Sequence, residues 1–188
     1  MSTTRKVAVI VGSLRKASFN RMAANALAKL APAPLTLEIV EIGALPLYNE
    51  DLDTASPPPA WVEFRNKIKP ADAVLFATPE YNRSVPAVLK NAVDVGSRPY
   101  GQSVWAKKPG AIISVSPGGI GGFGANHHLR QSFVFLDVPM MQQPEAYIGG
   151  AGNVFDKDGN VVKDDTRALL KKFIEAFAAW IELTRQKS

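Results

Sequence analysis

Residues 7–27 read VAVIVGSLRKASFNRMAANAL. Val7–Val11 is apolar without interruption, with charge before it and Gly12-Ser13 after it. A short apolar run of this kind, without polar alternation, is the pattern of a strand covered on both faces. A helix follows, capped by Ser18 or Asn20, in which Ala23, Ala26, Leu27 and Leu30 recur at spacings that build a small-residue packing face.

Working outward, the alternation of strand and helix repeats. After the turn APAP, Leu35–Glu41 reads as a second strand. Residues 42–59, IGALPLYNEDLDTASPPP, read as an irregular connection whose prolines oppose regular ladders. A second helix starts near the last of those prolines, carries Trp61, Phe64 and Ile68 as its apolar stripe and ends at Pro70. Ala73–Thr78 is a third strand, and PEYNRSVP leads from it to a helix bearing Val88, Leu89, Ala92 and Val93, with Ser84 as its cap and Pro86 in its first turn. Ala111–Ser116 is a fourth strand, followed by PGGIGGFG and a helix over 125–137. Val138–Gln142 reads as a weaker fifth strand, and a long final helix runs from about Thr166 with Leu170, Phe173, Phe177 and Trp180 on its core stripe. The expected class is α/β: an open, parallel five-stranded sheet with helices on both faces. No internal boundary or repeat divides residues 1–188, which read as a single domain.

The chain has 188 residues, 46% hydrophobic and 21% charged, which is a globular balance. A chain of this length buries roughly 70% of its unfolded surface. Twenty-two basic against 17 acidic side chains give a net charge of +5, compatible with anionic ligands. The basic residues form no stripe interleaved with stacking aromatics, so no nucleic-acid role is expected. The basic lead before Val7 is followed by only one strand's length of apolar residues, and no 18-residue apolar run occurs elsewhere. Cytoplasmic residence without stable membrane association is therefore the expectation. The absence of cysteine excludes a thiol nucleophile, disulfides and cysteine-ligated iron–sulfur or zinc centres. Any redox chemistry here needs a borrowed cofactor.

Ligands of open α/β sheets bind beyond the carboxyl ends of the strands, where this sequence places three unusual loops. In the first, residues 12–20, Ser13, Ser18 and Asn20 offer hydrogen bonds, Arg15 a charged fork and the following helix its free N–H groups. That set suits a monophosphate, although turn and capping roles would explain the serines equally; GxxxxGK[ST] is absent. In the second, Pro79 and Asn82 can hold a turn whose amides face a planar ligand, with Tyr81 against the ring. Alternatively Tyr81 covers core while Glu80 caps a helix or pairs with a base. The third, residues 116–124, contains GxGxxG from Gly119 to Gly124, but after the fourth strand rather than the first. Its glycines serve either close approach to a flat heterocycle or only a tight turn and helix–sheet packing.

GSLRKASFN (12–20), PEYNRSVPAVLKNAVD (79–94) and SPGGIGG (116–122), together with HHLRQSFVFLD (127–137), resemble the NADPH-dependent FMN reductase family in its soluble quinone/chromate reductase branch. The resemblance implies a flavodoxin-like fold, non-covalent FMN, NADPH or NADH as electron donor, and homodimers or homotetramers with the flavin near a subunit boundary. Carried onto these positions, it implies that Ser13, Arg15, Ser18 and Asn20 surround the FMN phosphate. Pro79, Glu80, Tyr81 and Asn82 then line the flavin with a backbone N–H near N5, and Ser116, Gly118 and Gly119 meet the other side of the ring. It further implies ping-pong reduction of small-molecule acceptors, quinones and chromate among them, with no catalytic side chain in the protein. Arg83 and Arg98 flank loops near the strand ends and are candidates for holding an anionic acceptor or the dinucleotide; Tyr100 closes the pocket or faces a partner. Arg130 and Glu145 match residues of tetramer contacts in similar reductases, with Phe133, Phe135 and Leu136 in core or contact roles.

Three other functions fit the same residues: a flavin reductase that releases its reduced flavin, an electron carrier that takes no nicotinamide, and an interaction module. No metal site is expected. His127 and His128 are helix neighbours about 100° apart, and Arg167 stands where a calcium loop opened by Asp156 needs an acid. Asp156–Gly159 reads as a surface turn.

Overall fold

The uninterrupted apolar runs become the centre of a sheet. The computed structural model describes residues 4–185. Strands β1 (Arg5–Val11), β2 (Leu35–Val40), β3 (Ala73–Thr78), β4 (Gly110–Val115) and β5 (Tyr147–Ile148) form one parallel sheet in the order β2-β1-β3-β4-β5. Every residue of β3 and β4 is buried, which is why neither strand alternates in sequence. The helices between them are α1 (Phe19–Leu30), α2 (Pro59–Ile68), α3 (Ala87–Gly96), α4 (Phe123–Phe135) and α5 (Asp164–Thr184). Sheet order and helices give the flavodoxin-like arrangement, whose strand order reverses between β1 and β3.

Alternate side chains of the strands feed two cores. Val7, Val9, Leu75 and Ile113 pack with Ala23 and Leu27 of α1 and with Leu170, Phe173 and Phe177 of α5. Ala8, Ile10, Phe76 and Ile112 pack on the other face with Trp61, Leu89, Leu129 and Phe133. Phe133 is therefore a core residue, its ring tilted against that of Phe76 with centroids 4.4 Å apart, whereas Phe135 is exposed. The helices expected from Ala125 and Thr166 begin two residues earlier, and the acidic first turn of α5, Asp164-Asp165, suits the positive end of a helix.

The weak fifth strand is displaced from its expected place. Met140 makes one isolated bridge, to Gly110, and the ladder forms only downstream, at Ser114↔Tyr147 and Val115↔Ile148. Pro139 interrupts the expected segment, and a residue without an N–H cannot donate to a ladder. The Pro139 carbonyl instead accepts from Gly110 N and from the indole of Trp180. Trp180 is thus partly buried at the sheet edge rather than central. The Asp156–Gly159 turn forms as read, its Asp156 carboxylate accepting from the amides of Asp158 and Asn160.

A tight fit in the second core lies at Gly96, where an added Cβ would overlap the indole of the fully buried Trp105. Trp105 is also held by its Nε1, which donates to Val93 O at 2.9 Å. Gly96→Ala is expected to cost about 1–3 kcal/mol of unfolding free energy as an overpacked substitution. Gly152→Ala, which meets open space, should stay within about 0.5 kcal/mol of the parent. Urea denaturation followed by circular dichroism measures both, and equal midpoints for the two variants would contradict the packing assigned to Gly96.

Candidate functional site

β1, β3 and β4 are neighbours, so the loops that leave their carboxyl ends must meet, and specific contacts join all three. Gly12 N donates to Ala77 O at 2.8 Å, and an added Cβ at Gly12 would lie 2.9 Å from Leu89 and 3.3 Å from Pro79. The first loop therefore lies directly on the second. Asn20 reaches from α1 across the sheet, its Nδ2 donating to Val115 O at 3.0 Å, and so joins the first loop to the third.

Ser18 is the cap of α1: Arg21 N donates to its Oγ at 3.2 Å, which leaves the hydroxyl proton free for a ligand. Asn20 lies inside the helix. Ser13, Ser18 and Asn20 are buried polar residues, Arg15 is exposed, and the first turn of α1 carries no acidic side chain. Among the described residues Asn20 Oδ1 is the one buried side-chain polar atom without a hydrogen-bond partner. A buried acceptor left open is costly, so a bound group with a donor belongs beside it.

The second loop turns at Tyr81–Ser84, where each residue's N–H donates to the other's carbonyl at 3.0 Å. Asn82 (φ 51°) and Arg83 (φ 65°) both occupy the left-handed region, as the two centres of a tight hairpin turn must. The Glu80 side chain, expected along the ligand, is committed elsewhere. Its Oε2 accepts from Ala125 N at 3.1 Å and its Oε1 faces Arg83 at 3.3 Å, so the capping and pairing alternative describes it and only its backbone remains available.

The third loop owes its shape to glycines on two segments. Gly121 and Gly122 have positive φ, and a Cβ at Gly121 would sit 2.7 Å from the Tyr147 carbonyl carbon. Gly149, unremarked in the sequence, lets β5 approach closely, since a Cβ there would lie 2.5 Å from Gly119 O. Ser116 Oγ accepts from Gly118 N at 3.1 Å, and a Cβ at Gly119 would meet nothing within 4 Å. Gly124, the last letter of GxGxxG, faces the second loop: a Cβ would come within 2.9 Å of Arg83 O and Glu80 Oε2. The motif thus serves packing between loops.

Ser13, Arg15, Ser18, Asn20, Pro79–Asn82, Ser116, Gly118 and Gly119 are all on this one edge. Arg83 lies there too, exposed and paired with Glu80. Arg98 does not join them within the chain. It follows α3, whose ten residues carry it about 15 Å back along the sheet, and its guanidinium lies 5.9 Å from the ring of Tyr48. Tyr100, also beyond α3, is exposed. The two histidines part: His128 Nδ1 lies 3.0 Å from Ser84 Oγ, and His127 Nε2 lies 2.9 Å from Tyr147 OH, with Phe123 against His127. Burial, and then neighbouring Glu145, push the Tyr147 phenol up to about 12, so it keeps its proton. Arg130 is tied down by Asn126 Oδ1 and Met141 O. Glu145 is exposed.

The donor set fits FMN. Arg15, the Ser13 and Ser18 hydroxyls and the open end of α1 suit a phosphate dianion. The unpaired Asn20 Oδ1 suits a hydroxyl of the ribityl chain, and the turn at Tyr81–Ser84 and the open Gly118-Gly119 backbone can flank a flat ring.

Residues 5–153 match the family described as NADPH-dependent FMN reductase. Over 185 residues the chain is 63% identical to a quinone reductase of Pseudomonas putida, covering 98% of this chain and 99% of that protein. It is 51% identical over 176 residues to a 2-hydroxy-1,4-benzoquinone reductase of a Burkholderia species, covering 94% and 96%. Among solved structures, the flavoenzyme NAD(P)H:(acceptor) oxidoreductase FerB of Paracoccus denitrificans superposes with a TM-score of 0.91 at 43% identity, covering 97% of this chain and all of that one.

Proposed function

This chain belongs to the NADPH-dependent FMN reductase family, and from that membership we propose that it is an NAD(P)H-dependent flavin oxidoreductase that reduces quinones. The observation that carries the proposal is the meeting of three strand-exit loops around the open acceptor of Asn20, in a chain so similar over its whole length to a quinone reductase. Ser13, Arg15, Ser18 and the first amides of α1 hold the phosphate, and Asn20 Oδ1 accepts from the ribityl chain. The backbones of Pro79–Asn82 and of Ser116, Gly118 and Gly119 hold the two sides of the ring.

Bound FMN supplies hydride acceptance from the nicotinamide and electron delivery to the acceptor, so the protein needs no nucleophile. What the protein contributes is position and preorganised dipoles. Amides fixed in the second and third loops stabilise negative charge where it develops, without reorganising during the reaction. Donor and acceptor use the same open face in turn, in a ping-pong cycle, and chromate is a second acceptor. Arg83, exposed at the rim, attracts anionic acceptors or the dinucleotide.

Assembly into homodimers or homotetramers belongs to the same proposal, with the exposed Val134 and Phe135 of α4 as apolar contact surface. So do a single FMN-binding domain and a cytoplasmic setting; no helix among the described residues is long and apolar enough to cross a membrane.

Anaerobic stopped-flow mixing of the holo-protein tests the cycle. NADPH or NADH is expected to bleach the flavin absorbance, and benzoquinone added afterwards to restore it without flavin leaving the protein. A flavin that neither nucleotide bleaches would overturn the enzyme in favour of an electron carrier. Turnover that requires added FMN, with colour lost on gel filtration, would favour a reductase that releases its flavin.

A further inference from the structure

A two-residue turn with both centres at positive φ is normally built from Asn-Gly, because only glycine enters the left-handed region without steric cost. Here the second centre is Arg83, at φ 65°, beside Asn82 at φ 51°. Such a conformation persists where its surroundings over-determine it. The surroundings in question are the first two turns of α4. Gly124 leaves room for Arg83 O, Ala125 N donates to Glu80 Oε2 at 3.1 Å, and His128 Nδ1 lies 3.0 Å from Ser84 Oγ. The three helix residues stand at i, i+1 and i+4, and they grip the turn before, within and after its strained centre.

Helix and loop need each other. The N-cap of α4 is Gly122, itself left-handed and without a side chain to cap the helix, and the N-terminal amides would otherwise lack an anionic partner. The Glu80 carboxylate, 10% exposed, supplies that partner from 45 residues away. A helix cap and a ligand loop are thus one structural unit.

We infer that His128 and Glu80 are positioning residues, which clamp the left-handed Asn82-Arg83 turn to α4 and so preset the amides that the second loop presents to the flavin. The inference rests on the flavin assignment for its consequence but not for the clamp itself. The step is purely conformational, and no electron or proton moves through His128.

The test combines FMN titration of the apo-protein with amide hydrogen exchange of the same apo-protein over residues 79–86. His128→Ala is expected to speed exchange at Ser84, whose N–H closes the turn, and to weaken FMN binding about tenfold, the scale of one residue's left-handed strain. Ser84→Ala removes the same bond from the other side and should reproduce both effects, which guards against misfolding of one variant. The decisive arm is Arg83→Gly placed in the His128→Ala background. Glycine needs no clamp to stay left-handed, so the double variant should recover most of the lost affinity, a rescue that general loss of structure would not give. Unchanged exchange and affinity in His128→Ala, or no recovery in the double variant, would overturn the clamp. If the parent protein itself takes up no FMN, the flavin assignment fails instead, and the exchange measurements still decide whether α4 holds the turn.

Discussion

Replacing Arg65 with alanine is expected to remove about 3–5 kcal/mol of stability, the cost of stranding one member of a buried ion pair. Arg65 NH2 lies 3.0 Å from Asp53 Oδ1, and both side chains are only 6% exposed. The guanidinium has two further contacts: its Nε donates to Val95 O at 2.9 Å, and its Cζ sits 5.7 Å from the Trp61 ring. Truncation therefore leaves the Asp53 carboxylate without its side-chain donor in a site water reaches poorly, leaves Val95 O with only the long 3.4 Å bond from Arg98 N, and removes packing from an indole. The loss would lower the melting temperature by roughly 6–20 °C for a chain of this size. Arg65→Leu combined with Asp53→Leu should be much milder than Arg65→Ala alone, because it removes both charges together and Val95 O keeps its bond from Arg98 N. Thermal and urea unfolding measure the series; a single-variant loss below about 1 kcal/mol would show that the carboxylate finds another partner.

That pair matters because it anchors the proline-rich connection between β2 and α2, which begins at the ligand edge of the sheet. Asp53 is one of three anchors along it. Tyr48 N donates to Asn91 Oδ1 at 2.8 Å, and Trp61 Nε1 donates to Pro46 O at 3.0 Å. None of these anchors has a local signature, since each joins residues 12 or more apart through a side chain whose direction depends on the finished fold.

The same distinction separates what the sequence made legible from what it did not. β1, β3 and β4 announce themselves because central parallel strands are buried on both faces, which leaves uninterrupted apolar runs. The three loops were recognisable because turn chemistry, phosphate chemistry and the family resemblance agreed on the same residues. β5 was not recognisable, because two paired residues carry no periodicity and the apolar letters of Val138–Gln142 include a proline beside the single bridging residue, Met140. Glu80 looked like a ligand residue by its place in the motif, yet its partner amide at Ala125 is 45 positions away. Arg98 looked close to the edge in sequence, and the length of α3 takes it away. Gly124 was ambiguous, and Gly149 carried no signal, for a related reason: a glycine shows that something comes near, but not what.

Asn20 gives the sharpest expected effect on the ligand. Asn20→Asp preserves shape and volume but exchanges the amide that donates to Val115 O, at 3.0 Å, for a carboxylate oxygen that repels it. Asn20 is only 3% exposed, so the new charge would be buried, and it lies in the first turn of α1 beside the proposed phosphate seat. Desolvation and the neighbouring Val115 carbonyl disfavour ionisation, so the introduced carboxyl should have a pKa raised above that of a free carboxyl. Above that pKa the ionised group opposes the phosphate, and FMN affinity should fall about 100- to 1,000-fold, which is about 2.7–4.1 kcal/mol. Below it the group is neutral and carries a donor again, so affinity should return as the pH is lowered across the measured range, in the opposite sense to a loss caused by misfolding. Asn20→Ala, which removes the donor and the acceptor without adding charge, should cost only about tenfold and show no such recovery. Quenching of FMN fluorescence on titration into apo-protein reads all three proteins across that range. An Asn20→Asp protein that binds FMN within about threefold of the parent at the upper pH would place the phosphate away from α1 and remove the first loop from the site.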